Sequence, residues 1–308
     1  MDHTAEFLVF GATGQQGGAV ARALKAKGRQ VRAFVRNPES IKSKALAAEG
    51  MSLAIGDLFD PASIDQAMVG ITGVFSVQTS SPAGEVTDVQ EVSQGKAIAD
   101  SAVRHGVRHL LYSSGGAAGK GPTGMGHFDS KSEIEAYVQS LPIMSTITRP
   151  ASFMEMMMLP GMGLSRSEFT FFMRPEQSMQ IIALNDLGRI NAEILMAPDH
   201  YAGKVIELAS ASVTGKDLER AFTDVAGRPI AYTRFPNDLL TENPFLNRLA
   251  ELLDSGLLAG VADLQALERE FGHLTSLVEW LDGPGMPLFK AALNDDKAEV
   301  ALKDSDNA

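Results

Sequence analysis

The segment Phe7-Leu-Val-Phe-Gly11-Ala-Thr-Gly14-Gln-Gln-Gly17-Gly18 constrains the fold more than any other part of the chain. An apolar, β-forming run enters a glycine-rich turn, and a helix-forming run, Gln15–Lys27, leaves it. In such a turn Gly11 allows the tight bend, Gly14 lets the backbone approach a diphosphate, and Gly17 lets the helix pack close to the strand. An anion held there meets the positive end of the helix. Glycine-rich turns are common, so the motif gains its force from its surroundings.

Those surroundings are regular. Short, mostly apolar runs suited to strands buried on both faces occur at Phe7–Phe10, Val31–Arg36, Met51–Ile55, Val74–Val77, His109–Ser113 and Ile143–Thr148. Helical patterns fall between them, near Gln15–Lys27, Ile41–Ala48, Ile64–Met68, Val89–His105 and Lys131–Ser140. Strand–helix alternation of this kind predicts an α/β, Rossmann-type doubly wound parallel sheet. Asp60-Pro61 reads as an N-cap and first helical residue.

After Pro150 the pattern changes. A methionine cluster (Met154, Met156, Met157, Met158, Met162) is followed by the stretch Thr170–Ile182, a helix near Leu187–Met196 and a strand at Val205–Leu208. Thr214 reads as the N-cap of a helix that Gly227 ends, and Ile230–Phe235 as a further strand. Residues 238–282 read as mostly helical, with Trp280 a buried anchor. The domain reading is therefore residues 1–150 plus about 185–211 as a nucleotide-binding domain. About 151–184 plus 212–293 form a smaller, mostly helical second domain, and the polar stretch 294–308 is a disordered tail. The methionines could line an adaptable pocket or partner surface, or simply fill a core.

Composition narrows the chemistry. The 308 residues include no cysteine, which excludes disulfides, thiolate metal sites and a cysteine nucleophile. His3, His105, His109, His127, His200 and His273 show no metal spacing, so no metal is expected. Neither a basic leader nor an apolar run of membrane length is present, and a cytoplasmic location without membrane contact is expected. The net charge of -11 lies entirely after residue 150, which makes direct nucleic-acid binding unfavourable.

The second strand ends at Arg36, and no acid lies between Gly28 and Pro38. A carboxylate near this position holds the ribose 2′-hydroxyl of NAD, whereas a guanidinium accommodates a 2′-phosphate. The spacing thus favours NADP(H), although Arg36 could also cap the strand in solvent. Arg32 reads as surface charge, and Lys42 and Lys44 as solvated helix charge. Asp57 in Gly56-Asp57 could accept from the adenine amino group, or could order its own turn. Gln78, after the fourth strand, could contact the cofactor with the segment through Gly84.

None of Tyr112, Tyr137, Tyr201 and Tyr232 has a lysine four residues later, so the Tyr-x-x-x-Lys pair of short-chain reductases is missing. The nearest match is His127-Phe-Asp-Ser-Lys131, which opens the helix before the sixth strand and puts both side chains on one face. Lys131 could bind the nicotinamide ribose while His127, titrating near neutrality, acts as the acid. Alternatively the cofactor binds and catalysis has lapsed. Ser113 and Ser114 end the fifth strand beside the expected nicotinamide position. The run from Gly115 to Gly126, with six glycines in twelve residues, would be ordered by a ligand.

Several segments together resemble the NmrA-like family of atypical short-chain dehydrogenase/reductases. They are Gly11-Ala-Thr-Gly-Gln-Gln-Gly-Gly18, Val35-Arg36-Asn-Pro38, Gly56-Asp57, His127-Phe-Asp-Ser-Lys131, Arg149-Pro-Ala-Ser-Phe-Met-Glu155 and Ala202-Gly-Lys-Val-Ile-Glu-Leu-Ala209. Where the family has asparagine after Phe-Met-Glu, this chain has Met156. The resemblance implies cofactor contacts at Gly11, Thr13, Gly14, Gln15, Gln16, Gly17, Arg36, Asp57, Gln78 and Lys131, with Lys131 and His127 at any reacting centre. It also implies one of two roles. The first is a redox sensor responding to NADPH/NADP through a regulatory protein partner. The second is an NADPH-dependent reductase of a small carbonyl, enone or quinone.

Overall fold

A computed structural model describes residues 6–80 and 86–295, which fall into two compact units. The first comprises residues up to 121, 126–149 and 184–206, and the second comprises 122–125, 150–183 and the chain from 207 onward. The Ser81–Gly84 part of the loop after Gln78 lies outside the described residues, as does the tail beyond Asp295.

The first unit begins with β1 (Glu6–Val9), α1 (Gln15–Ala26), β2 (Gln30–Val35), α2 (Ile41–Ala48), β3 (Ser52–Ile55) and α3 (Pro61–Met68). It continues with β4 (Gly73–Ser76), α4 (Asp88–Arg104), β5 (His109–Ser113), α5 (Gly126–Ser140) and β6 (Met144–Pro150). The chain then builds β7 (Ser152–Phe153), β8 (Glu168–Phe171) and β9 (Ser178–Ile182) of the second unit. It returns to the first for α6 (Leu184–Met196), α7 (Pro198–Tyr201) and the edge strand β10 (Val205–Leu208). The remainder is β11 (Ala211–Thr214), α8 (Gly215–Ala226), β12 (Ala231–Arg234), α9 (Asn237–Glu242), α10 (Pro244–Asp254), α11 (Leu264–Phe271), α12 (Leu277–Asp282) and α13 (Met286–Leu293).

Among the described residues a seven-stranded sheet runs β10-β6-β5-β4-β1-β2-β3. β1 pairs in parallel with both β2 and β4, with Phe7 opposite Val31 on one side and Gly73 on the other. The order reverses between β1 and β4, the switch point at which open α/β sheets bind ligands outside the carboxyl ends of their strands. The central strands are apolar on both faces because helices cover both. Leu8, Val74, Leu110 and Tyr112 are at most 1% exposed, and Ile98 of α4 and Ile134 of α5 close over them.

Local signals set most helix starts. Asp60 accepts from the amide of Ala62 with Pro61 at the first helical position. Thr87 and Gln90 form a capping box on α4. α5 starts at Gly126 rather than at Lys131, so His127 and Lys131 are both helical. Arg32 is not simple surface charge. Its guanidinium forks onto Glu6 at 3.2 and 2.7 Å and donates to the carbonyls of Ala67 and Val69, tying β1 and β2 to the end of α3.

The second unit is mostly helical, as the pattern predicts, and adds one three-stranded and one two-stranded sheet among the described residues. The stretch Thr170–Ile182 divides around a turn in which the Arg174 amide donates to Gln177 Oε1. β8 pairs in parallel with β12, whereas β9 lies between β11 and β7. Phe169, Phe222, Phe289 and Trp280 form its buried centre, and Trp280 Nε1 donates to Glu155 Oε1 at 3.1 Å. Met154, Met157, Met158 and Met162 are buried, and Met156 is half-buried. Among the described residues no helix is long and apolar enough to cross a membrane.

Candidate active site

The glycine turn sits at the carboxyl end of β1. Gly11 adopts φ +67°, which an L side chain resists, and its carbonyl accepts from the Gly14 amide at 2.8 Å. A Cβ on Gly17 would lie 2.4 Å from the Gly11 carbonyl oxygen and 2.6 Å from that of Phe10, so only glycine lets α1 start this close to the strand. Gly14 is the N-cap of α1 and provides no side-chain cap, and no acid lies in the first turn. The first amides of a helix have no intrahelical partner. Gly14 and Gln15 are exposed and Thr13 and Gln16 half-buried, so the turn presents backbone donors and a positive helix end to solvent. This cradle fits a diphosphate.

The other positions line up beside it. Because the strands are parallel, Ser113 and Ser114 after β5, Gln78 after β4, the turn after β1, Arg36 after β2 and Asp57 after β3 all lie at one edge of the sheet. At the usual ~4.8 Å between strands, the row from β5 to β3 is about 19 Å long, suited to an extended dinucleotide. Ser113 Oγ donates to Gln16 Oε1 at 2.7 Å, which fastens the first turn of α1 to the end of β5. Gln78 Nε2 donates to Ser76 Oγ at 2.8 Å, while its Oε1 is buried with no hydrogen-bond partner among the described residues. Arg36 is exposed. Asp57 Oδ1 accepts from the Phe59 amide at 3.0 Å, so it orders its own turn.

α5 carries the remaining pair. His127 is half-buried with its ring 4.1 Å from that of Phe128. It is not the near-neutral acid that the spacing suggested. Desolvation, with the Lys131 charge adding to it and Asp129 opposing, lowers its pKa from 6.5 to about 3, so the imidazole is neutral at pH 7. Lys131 Nζ donates to Glu91 Oε1 at 2.5 Å, and Ser130 Oγ donates to Glu91 Oε2 at 2.8 Å. Glu91 is 0% exposed; desolvation raises its pKa, and the charge of Lys131 and the two hydrogen bonds pull it back. On the next turn of α5, Glu135 takes a fork from Arg149 at 3.0 and 2.6 Å. Tyr112 lies fully buried, its phenol pushed up first by desolvation and then by the charges of Glu91 and Glu135.

Glu91 was not among the residues singled out from the sequence. A signal was present: Glu91, Gly95, Ile98 and Ala102 recur at helical spacing on the face of α4 that packs inward. An acid on an apolar stripe requires a partner. Among the described residues no group of three or more His, Cys, Asp or Glu side chains could hold a metal ion.

Fold and site define an open, doubly wound α/β protein with a diphosphate-shaped glycine turn. The NmrA-like family model matches residues 3–298, and the chain belongs to that family. It is 30% identical over 254 residues to the NmrA-like family domain-containing oxidoreductase malD of Malbranchea aurantiaca, covering 73% of this chain and 74% of the relative. Two solved structures share the fold. NmrA, a negative transcriptional regulator solved in complex with NADP, superposes with a TM-score of 0.75 at 20% identity, covering 95% of this chain and 99% of the other. The Citrobacter sp. triphenylmethane reductase complexed with NADP(H) gives a TM-score of 0.74 at 21% identity, covering 94% and 100%.

Proposed function

We propose that this protein binds NADP(H) along the edge running from Ser113 to Asp57 and reduces a small, electron-poor acceptor of the quinone, enone or carbonyl class. The uncapped glycine turn, with Arg36 on one side and Lys131 carried on the helix after β5, is the observation that supports the reading most strongly. In it the α1 amides hold the diphosphate and the Arg36 guanidinium takes the 2′-phosphate. Lys131 donates to the hydroxyls of the nicotinamide ribose. When bound, the nicotinamide supplies hydride. Neutral His127 is a weak proton donor at pH 7, which favours acceptors that need little acid catalysis, such as quinones. The oxidoreductase name of the malD relative and that of the dye reductase support this direction.

A second reading is a redox sensor that reports NADPH loading to a regulatory protein. The missing tyrosine and the depressed pKa of His127 favour it, as does the regulator among the proteins of this fold. A screen of quinones, enones and carbonyls, following NADPH oxidation with Lys131→Ala as control, separates the two. Turnover in the wild type that the variant loses is the expected result. Tight NADPH binding without turnover on any acceptor supports the sensor instead.

A further inference from the structure

We infer that Glu91 is a positioning residue for Lys131, holding its ammonium so that its remaining donors are presented to the vicinal hydroxyls of the ribose. The inference rests on the NADP(H) reading and adds to it a residue on a different helix.

The geometry around the pair is lopsided. Glu91 is satisfied on both oxygens, by Lys131 on one and Ser130 on the other, two neighbouring residues of α5. The Lys131 ammonium has three donors and, among the described residues, one partner, Glu91. Its side chain is only 10% exposed. A nearly buried ammonium with spare donors is a site for a neutral polar ligand, and two adjacent hydroxyls match it. A diphosphate does not need this group, because the α1 amides already supply its donors.

Packing alone does not require charge here. One turn further along, the same two helices meet through Gly95 and Ile134, so close that a Cβ on Gly95 would lie 2.7 Å from Ile134 Cδ1. Replacing a buried ion pair by apolar residues of similar volume is often neutral or stabilising. Glu91 lies in the first turn of α4, where the helix end favours a carboxylate, and it reaches across to fix a side chain of four rotatable bonds. Fixing Lys131 before the ligand arrives removes rotamer entropy from the binding step.

The test compares two ligands on one set of variants. NADPH contains the nicotinamide ribose; adenosine 2′,5′-bisphosphate contains the phosphorylated adenosine and lacks that ribose. Glu91→Gln keeps the shape and removes the charge. It should weaken NADPH by roughly tenfold or more and leave the bisphosphate unchanged. Equal weakening of both ligands, or no change in NADPH, overturns the inference. Should Glu91→Gln fail to fold, Lys131→Met, which leaves Glu91 held by Ser130 alone, and Lys131→Met/Glu91→Gln, which removes both charges, decide the matter. Equal NADPH affinities for the two are expected, and a further loss in the double variant contradicts a role exercised through Lys131. If the wild type takes up neither ligand, the NADP(H) reading itself fails, an outcome distinct from the others.

Discussion

Ser113 at the end of β5 donates a 2.7 Å hydrogen bond to Gln16 in the first turn of α1, tying β5 to the helix that follows β1, a strand separated from β5 in the sheet by β4. The bond holds the mouth of the glycine turn at a fixed place along the edge. Ser113→Ala should weaken NADPH by roughly fivefold, the effect of about 1 kcal/mol, with little change in thermal midpoint. Fluorescence titration measures it, and unaltered affinity would show that the turn needs no such tether.

Arg36 stands where β2 ends, exposed at the carboxyl edge of the sheet. Arg36→Glu should weaken NADPH by roughly tenfold to a hundredfold and NADH far less, since only NADPH carries the 2′-phosphate. Parallel titrations with the two nucleotides are the measurement. Equal losses would mean that Arg36 does not read the phosphate.

His109 gives the first unit an acid limit. The residue is 1% exposed, with Nε2 2.9 Å from Thr146 Oγ1, and burial is the main cause lowering its pKa from 6.5 to about 4. The folded protein therefore holds it neutral, whereas the unfolded chain protonates it near 6.5. Stability from this group is full above pH 6.5 and is lost as pH falls from there through about 4, by on the order of 3 kcal/mol in total. Denaturant titrations from pH 8 to 5 should show this decline, and His109→Gln should flatten it. An identical slope in the variant would remove His109 as the cause.

Arg248 of α10 clasps a short segment of the second unit. Its Nε and Nη2 donate to the Thr123 carbonyl at 2.8 and 2.5 Å, and buried Thr123 turns back to the amide of Met125 at 3.0 Å. The segment continues directly into α5 and His127. Arg248→Ala should speed tryptic cleavage after Lys120 by roughly tenfold, by weakening charge-assisted bonds that oppose local opening. An unchanged cleavage rate would show that other contacts hold the segment.

Much of this was legible in the sequence because the deciding forces are local. Strands buried on both faces show continuous apolar runs, and β5 was read with its observed ends, His109 and Ser113. Asp60 with Pro61, and Thr214 with Gly227, announce helix ends by short-range bonds and a positive φ. β7 and β11 were missed because Ser152–Phe153 has only two residues and Ala211–Thr214 is mostly small and polar, and both exist through their pairing with β9. The start of α5 was hidden by the glycine-rich run before it. In the candidate site, spacing alone singles out Arg36 and the turn glycines, and the structure sets them along one edge of the sheet. The neutrality of His127 and the hold of Glu91 on Lys131 depend on burial between α4 and α5, which no linear pattern encodes.

In the proposed function the turn from Gly11 to Gly17 receives the diphosphate of NADP(H). Calorimetric titration of the wild-type chain with NADPH tests it most directly. Saturable uptake of one nucleotide per chain is expected, tighter than that of NADH; no saturable heat with either nucleotide would contradict it.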